Sequence, residues 1–342
     1  MKRALSCTLT LLAATLAVAP ARANDTMADL KAGGLVFVTT DNVEMASEDL
    51  YLSPHAVKVD YVFHNSGDKD QTSVVAFPMP DVEGSGDFMV SVPDDGADNF
   101  MDFSVTIEGQ PVTPEIDRHA FAAEVDVTAL LTAHAIPLLP FGEATTAALG
   151  KLPPDVLDDW TRRGMVFRDE YDAGQGLVVD WTPLWRLKTT YWWRTTFPAG
   201  KDLRVSHRYK PSVGATAGLA FTSYADDGKP RFSGPDFDRE QAKYCMDGAF
   251  VKAVEKRVAA NAKQGDRVLM ENWLSYVLTT GANWGGTIGK FHLTIDKGKP
   301  ETLVSFCGDG VKKTGPTTFE INATDYYPER DIDVMLLNED EL

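Results

Sequence analysis

The chain has 342 residues and a formal net charge of -17, with 50 acidic against 33 basic side chains. So acidic a protein repels phosphate backbones and anionic lipid headgroups, which excludes nucleic acid as a partner and argues against peripheral membrane binding. With 44% hydrophobic and 10% aromatic residues there is ample material for a packed core, so disorder over most of the length is excluded as well.

The first predicted element is an export signal. Lys2 and Arg3 supply a positive start, Ala4 to Ala19 is uncharged and dominated by Leu and Ala, and Ala21-Arg22-Ala23 fits the small-x-small pattern of signal peptidase. The cut then falls between Ala23 and Asn24. It leaves 319 of the 342 residues, and the charge moves from -17 to -20 because Lys2, Arg3 and Arg22 are lost with no acid. The apolar run is short for a bilayer span, and no later run approaches 18 residues, so no integral membrane segment is expected after cleavage. Cys7 lies inside the apolar run, too early for a lipid-anchor site.

Strand signals follow. Val57, Val59, Tyr61 and Phe63 alternate with Lys58, Asp60, Val62 and His64, the period-two pattern of a half-buried strand. The turn cluster 65–70 leads to a second strand at Thr72–Pro78. Phe103, Val105 and Ile107 alternate with polar residues before the Gly109-Gln110-Pro111 break and a partner at Val112–Ile116. From Asp126 the period turns helical, with Leu130, Leu131 and His134 on one face. Pro153-Pro154 then opens a second helix with acids in its first turn, Arg162 and Arg163 at its end and Gly164 at the cap. Residues 119–175 read as a helical insertion.

The strand pattern resumes at Leu187–Phe197 and Leu203–Lys210, with Pro198 to Asp202 as a predicted hairpin loop. The polar stretch Ala225–Asp238 is the predicted boundary. It separates a β-sandwich domain at 24–232 from a second β-rich domain at 233–342 that opens with a helix bearing Phe250, Val251, Val254 and Val258. Five more strands are readable, at Val268–Thr279, Thr287–Asp296, Thr302–Phe306, Thr317–Asn322 and Ile332–Leu337, although Leu269, Trp273, Tyr276 and Val277 in the first also fit one helical face. The fold class is mainly β (a β-rich α+β arrangement): antiparallel β-sandwiches with a helical insertion, about 14 strands and 4 helices in all. Cys245 and Cys307 remain as an even pair after cleavage and are predicted to form a disulfide joining helix to sheet. The tail Glu339-Asp340-Glu341-Leu342 resembles an ER-retrieval signal but lacks the leading Lys or His.

Several strings in order resemble an exported bacterial family known as domain of unknown function 4424. They are Asn24-Asp25-Thr26 with Gly33 to Phe37, Ser47-Glu48-Asp49-Leu50, Phe197-Pro198-Ala199-Gly200, His207 to Gly214, Tyr244-Cys245-Met246-Asp247, Thr280 to Trp284 with Gly286, Ile288 and Phe291, and Tyr327-Pro328-Glu329-Arg330-Asp331. The resemblance spans the mature chain and implies an extracytoplasmic protein of Gram-negative bacteria, in the periplasm, with secretion as the alternative. It carries no assigned activity and so implies no site residue.

No nucleophile elbow, phosphate loop or cysteine metal motif is present, so no catalytic residue, metal or cofactor is assigned. The six histidines never fall at i, i+2 or i, i+4, and His207 reads as a hydrogen-bonded structural residue. The acidic turns 94–99 and 226–228 lack the spacing of a dedicated calcium loop. The candidate binding surface gathers Trp192 and Arg194 with Arg204 and Arg208, the faces opposite to buried Tyr191, Trp193 and Phe197 and to Val205, His207 and Tyr209. A ring beside three cations is a stacking and pairing site. Trp284, within Asn283-Trp284-Gly285-Gly286, is a further candidate, either a structural corner or part of a groove. The expected function is a non-catalytic binding or protein-interaction module, with an envelope protein or a small ligand as partner. The alternative is a hydrolase of an envelope polymer using carboxylates in a cleft.

Overall fold

A computed structural model describes residues 24–341 except 32–33, 86–88, 173, 175, 225–229 and 265–266. The predicted signal segment with Ala23, the turn 226–228 and residues 86–87 lie outside the described residues. The chain opens with five strands: β1 (Thr26–Lys31), β2 (Gly34–Val38), β3 (Val43–Leu52), β4 (Val57–Asn65) and β5 (Gln71–Pro78). The period-two signal of β4 is realised in full. Val57, Val59, Tyr61 and Phe63 are all at most 1% exposed, while Lys58 and Asp60 stand on the outer face. Burying each such side chain contributes roughly 1.5–3 kcal/mol.

Three large sheets share one core. A seven-stranded sheet contains β1, β2, β5 and the strands Glu115–Ala122 and Arg186–Phe197. An eight-stranded sheet contains β3, β4, Asp202–Tyr209, Ser104–Ile107, Ile288–Asp296 and Thr318–Tyr326. A five-stranded sheet is built on Arg267–Tyr276 and Ile332–Glu341. Among the described strands, pairing is antiparallel except between β3 and Ile288–Asp296, which run parallel from Lys290↔Ser47 to Ile295↔Leu52, and a single parallel bridge links Gly218 to Met270. Inner faces of all three sheets meet in one cluster that includes Met27, Phe77, Trp193, Tyr61, Phe63, Leu293, Tyr276 and Leu336. The mainly β sandwich architecture expected from the alternation is therefore present.

Helices cover the outside. In the predicted insertion, α1 (Thr128–Ala133), α2 (Glu143–Leu149) and α3 (Pro154–Arg162) bury Leu131, Leu149 and Trp160 against Trp185 and Ala120. Pro154 starts α3, and Gly164 follows it at φ 66, the left-handed conformation a glycine adopts without strain. After the polar stretch, α4 (Pro235–Tyr244) and α5 (Gly248–Gln264) pack Phe237, Tyr244 and Val254 on the outer face of the five-stranded sheet, against Leu269, Met335 and Leu337. None of the described helices is long and apolar enough to cross a membrane.

Three sequence expectations need correction. First, Pro198 to Asp202 is not a hairpin loop: Arg186–Phe197 pairs with β5 and Glu115–Ala122, whereas Asp202–Tyr209 pairs with β4 and Ser104–Ile107 in the facing sheet. The cause is Asn65, buried at the corner, whose side chain donates to Phe197 O at 2.8 Å and whose backbone bonds Gly200 and Lys201. These bonds turn the chain across the sandwich instead of back along the sheet. Second, residues 232 and 233 do not divide two cores, because strands from both sides of that point lie side by side in the eight-stranded sheet. Third, five α-helices and more than the expected strands occur among the described residues, the surplus strands being short pieces such as Val82–Glu83. Cys245 lies between α4 and α5, so the bridge does join helix to sheet, and it adopts φ 52 at the left-handed end of α4.

Candidate functional site

Where the eight- and five-stranded sheets diverge, they leave a cleft of about 890 Å³. One wall comes from Ile288–Asp296 and Thr318–Tyr326, which present Phe291, Phe319, Ile321 and Tyr326. The other comes from Leu303–Phe306, with Val304 and Phe306. Alternation puts Phe291 with Leu293, Phe319 with Ile321 and Val304 with Phe306 on one face of their strands, while Tyr326, of the opposite parity, follows Asp325 at φ 51. Rings meet in pairs: Phe291 stacks on Tyr326 with centroids 4.5 Å apart, and Phe306 meets Phe319 edge-on at 6.2 Å. Tyr327 at the mouth is 58% exposed and Val311 38%.

The disulfide Cys245–Cys307 borders this cleft and ties the end of α4 to the residue after Leu303–Phe306, with Cα atoms 5.0 Å apart. A Cβ on Gly308 would run into the end of the Ile321 side chain, which would have to shift to admit it. Charge at the rim is acidic: Asp247, Asp309, Glu329 and Asp331 against the single cation Arg330 among the lining residues. Arg330 is already engaged, donating to Lys243 O at 3.0 Å and approaching Cys245 Sγ at 3.7 Å. Asp247 accepts the Phe250 N–H at 2.7 Å and closes the first turn of α5. Burial raises the Asp331 carboxyl, partly offset by the Leu278 and Thr279 N–H groups it accepts at 3.1 and 3.0 Å. Ser305, buried at the floor, donates its hydroxyl to Tyr244 O at 2.9 Å. Chemically the cleft offers apolar and aromatic surface framed by anions, which suits an apolar body with a cationic end.

The residues singled out from sequence fall elsewhere and do not form one surface. Trp192 is half-buried on the outer face of the seven-stranded sheet, packed with Ala28, Val74 and Ala76, and exposed Arg194 shares that face. Arg204 and Arg208 stand on the outer face of the opposite sheet, so the whole core separates them from Trp192. Each has an acid partner: Arg208 Nη2 donates to both Asp60 carboxylate oxygens at 2.9 Å, and Arg204 lies 3.7 Å from Glu108. The shared parity of Tyr191, Trp193 and Phe197 with His207 is real, since Trp193 meets His207 at 5.2 Å, but the contact crosses between sheets. Trp284 is 3% exposed, a core corner against Phe63 at 4.4 Å, and its Nε1 donates to Asp25 O at 2.6 Å. His207 is fully buried and bonded to Asp25 at 3.0 Å. In the acidic turn, Asp94 accepts Gly96 N–H and Asp98 pairs with Arg118. Among the described residues no three His, Cys, Asp or Glu side chains come together to hold a metal. In the sequence the cleft residues Phe306, Phe319 and Tyr326 read as ordinary strand core, and Phe291 stands out only as part of a family-like string. Only their facing position across two distant strand pairs distinguishes them.

The profile of the family described as "Domain of unknown function (DUF4424)" matches residues 23–335. No curated protein matches the chain. A crystal structure from Legionella pneumophila subsp. pneumophila str. Philadelphia 1, described as that of a "putative nutrient binding protein", aligns with a TM-score of 0.42 at 15% identity, covering 92% of this chain and 70% of that one.

Proposed function

This chain belongs to the DUF4424 family, and we propose that it is a non-catalytic binding module of the cell envelope whose ligand enters the cleft beside the Cys245–Cys307 bridge. The open volume of about 890 Å³ carries the reading. Packed interiors leave few voids larger than a water molecule, and this volume falls in the range of small-molecule sites. Stacked rings favour an apolar or aromatic ligand body, and four rim acids against one engaged arginine favour a basic group on it. The hydroxyl at the floor is committed to a backbone carbonyl, which supports binding rather than chemistry. The apolar run Ala4 to Ala19, the Ala21-Arg22-Ala23 motif and the disulfide support a place outside the cytoplasm, in the periplasm.

Titration calorimetry of the oxidised protein with a long-chain alkylammonium, the matching alkyl carboxylate and a Lys-rich amphipathic peptide tests this. The cationic ligands are expected to bind at least about tenfold tighter than the carboxylate, and Val304→Trp, which fills the cleft, to abolish binding while the protein stays folded. Equal binding to the filled variant, or a preference for the carboxylate, overturns the reading.

A further inference from the structure

Asn24, Asp25 and Thr26 are each 0% exposed, an unusual fate for the first residues beyond a predicted cleavage point. They pass through the polar centre of the sandwich and are held on every side. The Asn24 side chain donates to Glu48 at 3.2 Å and to Leu278 O at 3.4 Å, and its oxygen accepts from Tyr61 and from Asp25 N–H. Thr280 donates to Asn24 O at 2.7 Å, Trp284 to Asp25 O at 2.6 Å and Asn283 to Thr26 Oγ1 at 2.9 Å. Gly281 has no room for a side chain, since a Cβ there would meet Asn24 Nδ2 at 2.8 Å.

Acidic groups outnumber basic ones in this sealed centre. Two carboxyls are buried, Asp25 at 0% and Glu48 at 1%, against the single imidazole of His207. Asp25 Oδ2 and His207 Nδ1 have no hydrogen-bond partner. Glu48 has only neutral partners, Asn24 and the Tyr276 hydroxyl at 3.3 Å, with Tyr61 and Tyr276 bonded to one another at 2.9 Å. Burial pushes the Glu48 carboxyl up to about 8, which is the cost of an anion with no cation. An isolated buried charge is expensive, and a paired one is tolerated when its hydrogen bonds are filled.

We infer that the missing cation is the α-ammonium of Asn24, created when the leader is removed and buried against the Glu48 and Asp25 carboxylates as an internal lock of the mature fold. Water adds across the Ala23–Asn24 amide in a reaction catalysed by the export machinery's signal peptidase. Ala23 takes the new carboxylate and leaves with the leader, while Asn24 keeps the nitrogen, which is protonated at neutral pH. Before cleavage that nitrogen is an uncharged amide and cannot serve. Completion of the core is thereby coupled to export. This proposal is independent of the cleft and would survive its failure.

The test compares the full mature chain starting at Asn24 with the same chain carrying one additional alanine before Asn24, each released from a fusion by a protease that leaves the chosen first residue. The extension is expected to lower the melting temperature by roughly 5 °C or more at pH 7, and Glu48→Gln to shrink that difference to within about 1 °C. Should the extended chain fail to fold, amine acetylation of the native mature protein decides the matter. The Asn24 α-amine should react at least about a hundredfold slower than after unfolding. Equal melting temperatures, a difference untouched by Glu48→Gln, or an α-amine as reactive folded as unfolded each overturns the inference.

Discussion

Glu48 stands between Asn24 and Tyr276 with Tyr61, Asp25 and His207 around it, so its protonation state sets the electrostatics of the centre. Where the Asn24 nitrogen is uncharged, an unfolded glutamate ionises near 4.5 while the folded one holds its proton to about 8. Between those values folding takes up a proton, and stability must fall as pH rises, by up to about 1.4 kcal/mol per pH unit. Denaturant melts of the alanine-extended chain from pH 4.5 to 8 should show that decline. Glu48→Gln should flatten it, and the free-amine chain should show a shallower slope because the ammonium favours the carboxylate. Parallel profiles for all three would remove Glu48 as the cause. Little of this centre was legible in the sequence. Asn24-Asp25-Thr26 is three ordinary polar residues beside a cleavage motif, and its partners Glu48, His207, Tyr276 and Trp284 are scattered across more than 200 positions.

At the scale of elements, parity was legible and partnership was not. Alternation placed Tyr191, Trp193 and Phe197 on the buried face correctly, because side-chain period depends only on local backbone. The choice between a hairpin and a crossing to the other sheet depends on Asn65, 132 residues before Phe197 in sequence. Asn65→Ala should therefore destabilise the protein by about 1–3 kcal/mol, since Phe197 O and Lys69 O lose their donor in a buried corner. Urea melts would check this, and a change under about 0.5 kcal/mol would mean that water replaces the amide. The disulfide makes a second case. It spans 62 residues and joins α4 to a cleft wall, so its reduction should cost up to roughly 4 kcal/mol in the chain-entropy model. Reduction should also expose α4 and α5 to proteolysis before the sheets. Retained melting temperature and an unchanged digestion pattern under reductant would leave the bridge without a stabilising role.

For the whole molecule, composition marked a boundary near 232 that the packing ignores. A polar, Gly- and Pro-rich stretch reports a surface loop, and a loop is a domain boundary only if few contacts cross it. Here the contacts crossing are central. Ile288–Asp296 lies parallel to β3 and supplies Phe291, Leu293 and Ile295 to the common cluster, while Ile332, Val334 and Leu336 enter from the five-stranded sheet. That small sheet in turn takes Met89–Ser91 and Val213–Ala217 from the first part of the chain. Removing residues 233–342 would strip an inner strand from β3, leaving an unpaired apolar edge, and would open the core that Tyr61 and Phe63 complete. The expected outcome is one cooperative unfolding transition for the mature protein, with calorimetric and van't Hoff enthalpies in agreement. A fragment ending at residue 232 should lack the near-ultraviolet signal of packed tryptophans and aggregate through that edge. Two separated transitions, or a soluble 24–232 fragment with native aromatic dichroism, would restore the two-domain division that composition suggested.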